Sequence, residues 1–359
     1  MIRLEPRKEI SKNLLYLTPV MAIGLTIMLG AVMFVILGKD PLSAIYIIFV
    51  EPLTDLFTIS EMMVKATPLI LIGIGLSFGF RAGVWNIGAE GQFTMGALAG
   101  GALPALYPVE GVWVLPAMCV AGILGGMAWA AIPAFLRTRF NANEILVTLM
   151  LTYVAVLLLS VLVHGPLKDP AGFNFPESRL FNSSASLPIL IEDTRAHVGF
   201  LVALLAVAVA WVLLARHVFG YQVKVMGQSP KAASFGGFVE SKVVWMCLMI
   251  SGGLAGLAGT FEAAGPVGQL VPALPVGYGF TAIIVAFLGR LTPVGILLAG
   301  FVMALTYIGG ESAQIKMNLP SAVTGVFQGM FLFALLGIDV FARFRIRLTR
   351  RVAAAGAGE

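Results

Sequence analysis

The stretch LLYLTPVMAIGLTIMLGAVMFVIL, residues 14–37, contains no charged residue. A helix needs about 20 apolar residues to cross roughly 30 Å of hydrocarbon, and this stretch is longer than that. The whole chain agrees, since 59% of its 359 residues are hydrophobic, 11% are charged and the mean hydropathy is +0.95. So little polar surface could not cover a soluble globule of this size. The sequence therefore predicts an all-α, polytopic membrane helix bundle.

Further apolar stretches predict more transmembrane helices, and with residues 14–37 they make about ten. The others are expected at residues 60–80, 91–107, 112–136, 144–164, 197–215, 243–262, 277–289, 293–310 and 319–338. Residues 41–50 are too short to span and predict an interfacial helix on the outer side. A cleaved signal peptide is the alternative for residues 14–37, but signal peptides have shorter apolar cores. We therefore expect this first helix to be retained.

The distribution of basic residues predicts the orientation, because Lys and Arg concentrate in cytoplasmic loops. With ten helices and a cytoplasmic N-terminus, most of the 23 Lys and Arg residues face the cytoplasm. The residues that face outward are Lys39, Lys65, Lys168, Arg179, Arg195 and Lys316. Both termini are therefore predicted to be cytoplasmic. The chain is predicted to consist of a cytoplasmic N-terminal segment (1–13), a transmembrane domain (14–338) and a basic cytoplasmic tail (339–359). The net charge of +5 follows from this bias and needs no nucleic-acid partner, and the tail can also contact membrane lipid.

Cysteine and histidine residues give no sign of redox or metal chemistry. Cys119 and Cys247 fall within predicted helices, where a thiol usually serves as a small packing residue. His164, His197 and His217 lie at three different helix ends without the spacing of metal ligands. We expect no metal site and no catalytic histidine.

The stretch RAGVWNIGAEGQFTMGALAG, residues 81–100, places several polar residues in apolar surroundings. Polar groups are expensive to bury in lipid and often mark functional sites. Asn86, Glu90 and Gln92 could line a path through the bundle at a break flexed by glycine residues. They could equally cap a helix that starts near the cytoplasmic surface, with Glu90 at the positive end of that helix. The residues alone leave both interpretations open.

Polar residues also begin or end other helices. Asn143 and Glu144 precede a long apolar run, where a helix cap is the simplest interpretation. Thr148 lies further into the same predicted helix and could line a pore, although threonine hydroxyls also bond their own helix. Glu262 lies near the outer end of another helix and Gln269 beyond it. They could face an outer vestibule, but we expect them to be solvated loop residues.

The stretch RHVFGYQVKVMGQSPKAASFGGFVESK, residues 216–242, is the longest predicted cytoplasmic loop. Its centre is amphipathic, and Pro230 precedes Lys231, Ala232 and Ala233 in the manner of a short helix start. The segment could dock a cytoplasmic partner or could be a solvated loop. The largest predicted outer loop, on the periplasmic side, is 165–196.

Three stretches together resemble one family. FRAGVWNIGAEGQ at 80–92, NEILVTLMLTYVA at 143–155 and KVMGQSPKAASFGGF at 224–238 resemble, in order and in separation, signature stretches of the permeases of nucleoside-type ATP-binding cassette (ABC) importers. The same class includes permeases for ribose-like sugars and branched-chain amino acids. Within this class, the sequence NIGAEGQ favours nucleosides as the substrate.

The resemblance implies a set of partners and two functional regions. The partners are a second, homologous permease, two cytoplasmic ATP-binding subunits and an extracytoplasmic substrate-binding lipoprotein, all at a bacterial cytoplasmic membrane. The implied coupling helix, which would dock on the ATPase, contains Gly227, Pro230, Ala232, Ala233 and Gly237. The implied translocation region contains Asn86, Glu90, Gln92, Asn143 and Glu144.

The source of energy separates two hypotheses. The sequence holds no G-x-x-x-x-G-K-[ST] phosphate loop, so ATP would be used by a partner subunit, and we expect the chain to be neither an enzyme nor a cofactor protein. The alternative is a stand-alone, ion-coupled secondary transporter of a small polar solute, which needs carboxylates near the bilayer midplane. Only Glu90 and Glu144 approach that depth, and both are predicted near cytoplasmic helix ends. We therefore predict a permease subunit of an importer for nucleosides or related simple sugars.

Overall fold

A computed structural model describes residues 2–6, 12–107, 109–320 and 322–348, and this part of the chain is nearly all helical. In chain order the elements are β1 Ile2–Pro6, α1 Lys12–Ile36, α2 Pro41–Phe49, α3 Leu56–Ala82, α4 Ala89–Leu106, α5 Val114–Phe140, α6 Glu144–His164, α7 Gly199–Arg216, α8 Val218–Gln228, α9 Pro230–Phe235, α10 Glu240–Glu262, α11 Tyr278–Leu288, α12 Pro293–Met317, α13 Ala322–Arg343 and β2 Phe344–Leu348. A 3-10 turn, Glu51–Leu53, precedes α3, and a π-helical turn, Ala263–Val267, follows α10.

A helix covers each of the segments in which the sequence predicts a membrane span. Among the described residues, seven helices are long and apolar enough to cross a membrane, namely α1, α3, α5, α6, α7, α10 and α12. The helices α4, α11 and α13 are shorter or less apolar, and α2 coincides with the predicted interfacial segment. The chain is therefore a polytopic membrane helix bundle.

The chain divides into two compact units, of which the first comprises residues 1–50 and 309–359. Within it α1 packs against α2 and α13, and Phe34, Ile48 and Phe327 form part of its apolar core. The strands β1 and β2 pair antiparallel over five residues each. The all-α prediction missed this pairing, because it joins opposite ends of the chain and leaves no local pattern in the sequence.

The second unit, Glu51–Ile308, has a buried interior and a more exposed periphery. The share of buried residues is 89% in the apolar stretch of α3 and 72% in that of α10, against 22% for α6 and 28% for both α5 and α7. Burial of most residues in α3 and α10 places these two helices at the centre of the unit. Polar residues in their buried stretches, such as Ser77 and Ser251, therefore face protein.

Glycine residues let α4, α5 and α10 approach each other closely. A Cβ atom on Gly96 of α4 would overlap the backbone of Gly256 in α10, and one on Gly126 of α5 would overlap Gly252. Membrane helices commonly pack through such small residues. Each helix carries a pair of glycines four residues apart, namely Gly96 and Gly100, Gly122 and Gly126, and Gly252 and Gly256. These contacts show that the pairs serve packing within the chain.

Candidate functional site

A non-helical segment separates α3 from α4 inside the second unit, and we call residues 83–88 the α3–α4 break. The helix α3 ends at Gly83, whose φ of +74° is the left-handed conformation that glycine adopts at helix ends. Val84, Asn86 and Gly88 are buried. Irregular backbone inside a membrane protein must find its hydrogen-bond partners in the protein or in a lined cavity.

The side-chain amide of Asn86 supplies many of these partners. Its Nδ2 donates to Oε1 of Gln92 at 2.8 Å and to Oγ of Ser251 at 2.9 Å. Its Oδ1 accepts from the backbone N–H of Gly88 at 3.1 Å and from Nε2 of Gln92 at 3.2 Å. The N-cap residue of α4 is Gly88, with no side-chain cap bond, so Asn86 does not cap the helix. It joins the break to α4 and α10.

The position of Ser251 shows how deep the break lies. Ser251 stands halfway between Glu240 and Glu262 in α10, about 16 Å from each end at 1.5 Å per residue. Asn86, which donates to Ser251, therefore lies deep in the bundle. This placement favours a polar break inside the bundle over a helix cap near the cytoplasmic surface, since Gly83 is exposed and Asn86 is buried.

Glu90 joins the first turn of α4 to the start of α11. It is 2% exposed, its Oε1 accepts the N–H of Gly277 at 2.7 Å, and its Oε2 accepts the N–H of Gly279 at 2.5 Å. Glu90 lies at the positive end of its own helix, as one interpretation of the sequence had it, and its carboxylate also complements the N-terminus of α11. An ion pair with Arg81 also fitted the sequence; the Nε of Arg81 instead donates to the carbonyl of Leu291 at 2.8 Å.

The helix α6 runs beside the break. Glu144 accepts the N–H of Trp85 at 3.3 Å, and the hydroxyl of Thr148 accepts the N–H of Ile87 at 3.2 Å. Asn143 is exposed and acts as the N-cap of α6, accepting the N–H of Ile145 at 3.0 Å. The structure thus brings Glu144 and Thr148 to the break, while Asn143 has the contacts of a helix cap.

A second buried carboxylate lies on the other side of the α11 start. Glu262 was expected to be solvated, but it is 7% exposed and accepts the hydroxyl of Tyr278 at 3.4 Å. Tyr278 is fully buried between the two glycines that bind Glu90, and Lys65 Nζ lies 5.8 Å from its ring centre. The expectation failed because the Tyr278 hydroxyl, in the first turn of α11, reaches Glu262 at the end of α10, a contact that local sequence does not reveal.

The start of α3 is joined to the end of the segment 165–196, which the sequence predicts to be periplasmic. Arg195 forms an ion pair with Glu61, whose side chain is buried. Nearby, burial lowers the pKa of His197 to about 4, and its Nδ1 accepts the N–H of Gly199 at 3.2 Å, so this ring is neutral. These contacts fix the end of the loop on the bundle.

Ser251, Tyr278 and Arg195 were not identified from the sequence as site residues. A lone serine in an apolar helix usually bonds its own backbone, so Ser251 gave no signal. The glycines on both sides of Tyr278 did give a sequence signal, since paired glycines at a helix start often permit close backbone approach. A Cβ atom on Gly279 would overlap the backbone of Glu90.

The predicted cytoplasmic loop folds into two short helices, α8 and α9. The expected helix start at Pro230 is confirmed, with Ser229 as the N-cap residue whose hydroxyl accepts the N–H of Ala232 at 3.4 Å. Pro230, Ala232 and Ala233 lie in α9, Gly227 lies in α8, and Gly237 follows α9.

Two of these residues point toward the bundle. A Cβ atom on Gly227 would overlap the carbonyl oxygen of Arg81 at the end of α3, and Ala233 is fully buried. The outward face of α9 instead includes Lys231, Ser234 and Phe235, the last 94% exposed. Gly227 and Ala233 are therefore packing positions, which a docking-surface interpretation of the motif does not capture.

The clusters of acidic and polar residues do not form a metal centre in the part of the chain that the structure describes. No group of three His, Cys, Asp or Glu residues in that part is arranged to hold an ion. The polar groups at the break bind each other and the backbone, which makes them a structured polar region within an apolar bundle.

Comparison with known proteins identifies the kind of transporter. The family described as "Branched-chain amino acid transport system / permease component" matches residues 58–336. The glucose ABC transporter permease protein TsgB13 of Haloferax volcanii is 36% identical over 355 residues, covering 96% of this chain and 93% of that protein. The guanosine ABC transporter permease protein NupP of Bacillus subtilis is 30% identical over 316 residues, covering 86% and 90%. The nucleoside ABC transporter permease protein NupB of Lactococcus lactis is 23% identical over 326 residues, covering 88% and 89%.

These matches confirm the resemblance on which the sequence prediction rested, and they exclude a stand-alone secondary transporter. ABC permeases act in general with ATP-hydrolysing subunits and a substrate-binding protein. The chain is thus a multi-pass membrane subunit of an importer, with a transport role and not an enzymatic one. It belongs to the family of branched-chain amino acid transport system permease components.

Proposed function

We propose that this chain carries nucleosides, or related simple sugars, across a bacterial cytoplasmic membrane as the permease of an ABC importer. The observation that carries the proposal is the α3–α4 break, where the NIGAEGQ residues form a polar region deep in the bundle. A nucleoside or sugar presents many hydroxyls and no net charge, which suits a site of amides, hydroxyls and backbone groups. The relatives named for guanosine, nucleosides and glucose support this substrate class.

The proposed path follows the break and the helices beside it. Asn86, Glu90, Gln92, Glu144 and Thr148 line this region, and Asn143 contributes by holding the start of α6. Broken helices at membrane depth form substrate sites in other transporters, because their free backbone groups can bind polar solutes. In the present conformation these groups bind one another, so substrate passage would require them to exchange partners.

The proposed energy coupling enters through α8 and α9. The exposed face of α9, including Phe235, would dock on an ATP-binding subunit, and the permease itself would need no cofactor. Gly227 of α8 packs on Arg81 and Ala82, directly before the break begins at Gly83. A movement imposed on the loop would therefore reach the break through a backbone contact.

The proposed assembly contains a second, homologous permease, two ATP-binding subunits and an extracytoplasmic substrate-binding lipoprotein. The lipoprotein would dock on the periplasmic loop 165–196, whose end is fixed to the bundle through Arg195 and Glu61. We further propose ten membrane crossings, with the segment 1–13 and the tail 339–359 both cytoplasmic and the transmembrane domain between them. Residues 349–359 of that tail, and with them Arg350 and Arg351, lie outside the described residues.

Cysteine labelling tests this orientation. Ser183 and Ser234 are both exposed, and the proposed topology places them on opposite sides of the membrane. In a background without Cys119 and Cys247, a cysteine at position 183 should react with an impermeant thiol reagent on intact spheroplasts, and one at position 234 should not. Both should react after the membrane is opened. The reverse pattern would mean that the number of crossings has the wrong parity.

Uptake by the complete importer tests the substrate class. Cells without other nucleoside uptake, expressing all subunits, should accumulate labelled guanosine or uridine only when the ATP-binding subunit is intact. A subunit with its phosphate-loop lysine replaced gives the matched control. Accumulation of glucose alone would select the sugar alternative, and accumulation of leucine alone would contradict the proposal.

A further inference from the structure

We propose that Arg137 is a positioning residue that links the cytoplasmic coupling loop to the α3–α4 break. The inference rests on the proposed role of α8 and α9 in energy coupling. It assigns to Arg137 the transfer of loop movement to α6 and from there to the break.

The first half of the link is a partly buried ion pair. Arg137 lies in the last turn of α5, and its guanidinium binds the carboxylate of Glu144 in the first turn of α6. The two side chains are 18% and 14% exposed. The same oxygen of Glu144 accepts the N–H of Trp85 at 3.3 Å, so one carboxylate separates Arg137 from the backbone of the break.

The second half of the link is a longer and more exposed contact. The other terminal nitrogen of Arg137 lies 3.8 Å from Oε1 of Glu240, whose side chain is 59% exposed. Glu240 is the first residue of α10, so it directly follows the loop that contains α9. Exposed ion pairs contribute little to stability, and this contact can therefore change without unfolding the helix.

The surroundings leave room for such a change. A cavity of about 650 Å³ is lined by Arg137, Arg139, Asn141, Glu144, Glu240 and Ser241. One turn further along α10, the Trp245 indole donates to the hydroxyl of Thr138 at 3.1 Å and fixes that helix to α5. The start of α10 can thus move at Glu240 while the next turn stays attached, and the guanidinium can follow it into open space.

A simpler role for Arg137 is local, since a basic residue in the last turn of a helix stabilises its negative end. Arg139 lies in the same turn, lines the same cavity and is exposed. It therefore serves as a matched control, because replacing it removes the same charge from the same helix end. Only Arg137 pairs with both Glu144 and Glu240 among the ion pairs of the described residues.

The test compares the importer containing R137Q or R139Q with the parent complex in proteoliposomes that contain the binding protein. R137Q should hydrolyse ATP at near the parental rate but import at least about tenfold fewer solute molecules per ATP, a change of the size usual for coupling between sites. R139Q should keep the parental ratio, and R137K should recover part of it because it retains the charge.

A second variant keeps the inference testable if R137Q does not accumulate in the membrane. E240Q changes an exposed side chain and should lower the same ratio, and the double variant R137Q/E240Q should be no worse than R137Q. Equal ratios in R137Q and the parent, or proportional losses of uptake and ATP hydrolysis, would contradict the role of Arg137 alone. Absence of nucleoside and sugar uptake by the parent complex would contradict the proposed function instead.

Discussion

Replacing Glu90 with alanine should abolish uptake and lower the stability of the permease. The carboxylate accepts the N–H groups of Gly277 and Gly279, and both contacts lie inside the bundle. Each buried donor left without an acceptor costs about 1–3 kcal/mol of the free energy of unfolding. The loss should appear as a lower midpoint of thermal unfolding in detergent and as the absence of labelled nucleoside in cells.

Glu90→Gln separates the structural from the transport role of this residue. The amide keeps the shape and one acceptor oxygen, but its NH₂ group would face an N–H donor at the start of α11. We expect the variant to accumulate in the membrane and to bind the ATP-binding subunit, yet to lose transport. Glu192→Gln, at an exposed position of the periplasmic loop, is the matched control and should transport normally.

Asn86→Asp provides an independent test of the same region. An aspartate cannot donate to Gln92 and Ser251, although its size is unchanged. We expect the same phenotype as for Glu90→Gln. If both variants transport at the parental rate, these residues only hold the break in place, and the translocation path lies elsewhere.

The sequence predicted the helices well because membrane helices are long apolar stretches that local composition reveals. The bend at Gly83 was also predictable, since glycine residues and polar residues alternate there. The depth of the break within the bundle could not be predicted from the sequence. It follows from Asn86 reaching Ser251, a residue 165 positions along the chain, and no local pattern records that contact.

The partners of the acidic residues show the same limit. One interpretation put Glu90 at the positive end of a helix predicted at 91–107, and it lies in the first turn of α4, but its carboxylate also accepts from the N-terminus of α11. Glu262 was expected in solvent because α10 ends there, yet it is buried and accepts the hydroxyl of Tyr278 from α11. Both outcomes depend on how distant helices pack. Resemblance to a family supplied the candidate site residues, and only the structure supplied their contacts.

The predicted cytoplasmic loop, which holds α8 and α9, shows a different limit of motif-based prediction. The motif groups Gly227, Ala233 and Gly237 together, but a motif does not distinguish residues that face a partner from those that face the chain itself. The structure makes this distinction for Gly227, which packs on α3, and for Phe235, which is exposed. Substitution of Gly227 should therefore abolish uptake and leave binding of the ATP-binding subunit intact, whereas substitution of Phe235 should abolish that binding.

Gly227→Leu should abolish uptake while the ATP-binding subunit still co-purifies with the permease. A Cβ atom at this position meets the carbonyl oxygen of Arg81, which belongs to the backbone and cannot rotate away. Added volume in a packed contact costs about 1–3 kcal/mol, enough here to lift α8 from the end of α3. Gly24→Ala is the control, because a Cβ atom there has nothing within 4 Å.

Phe235→Ser should show the converse result, with loss of ATP-binding subunit co-purification and an unchanged unfolding midpoint of the permease. The side chain is 94% exposed, so the folded chain loses almost no packing when it is removed. Anchors of this kind carry much of the binding energy of an interface. Normal co-purification in Phe235→Ser would contradict α9 as the docking helix. Loss of co-purification in Gly227→Leu would instead place the docking surface on α8, and movement would then reach the break at Gly83 directly from the partner.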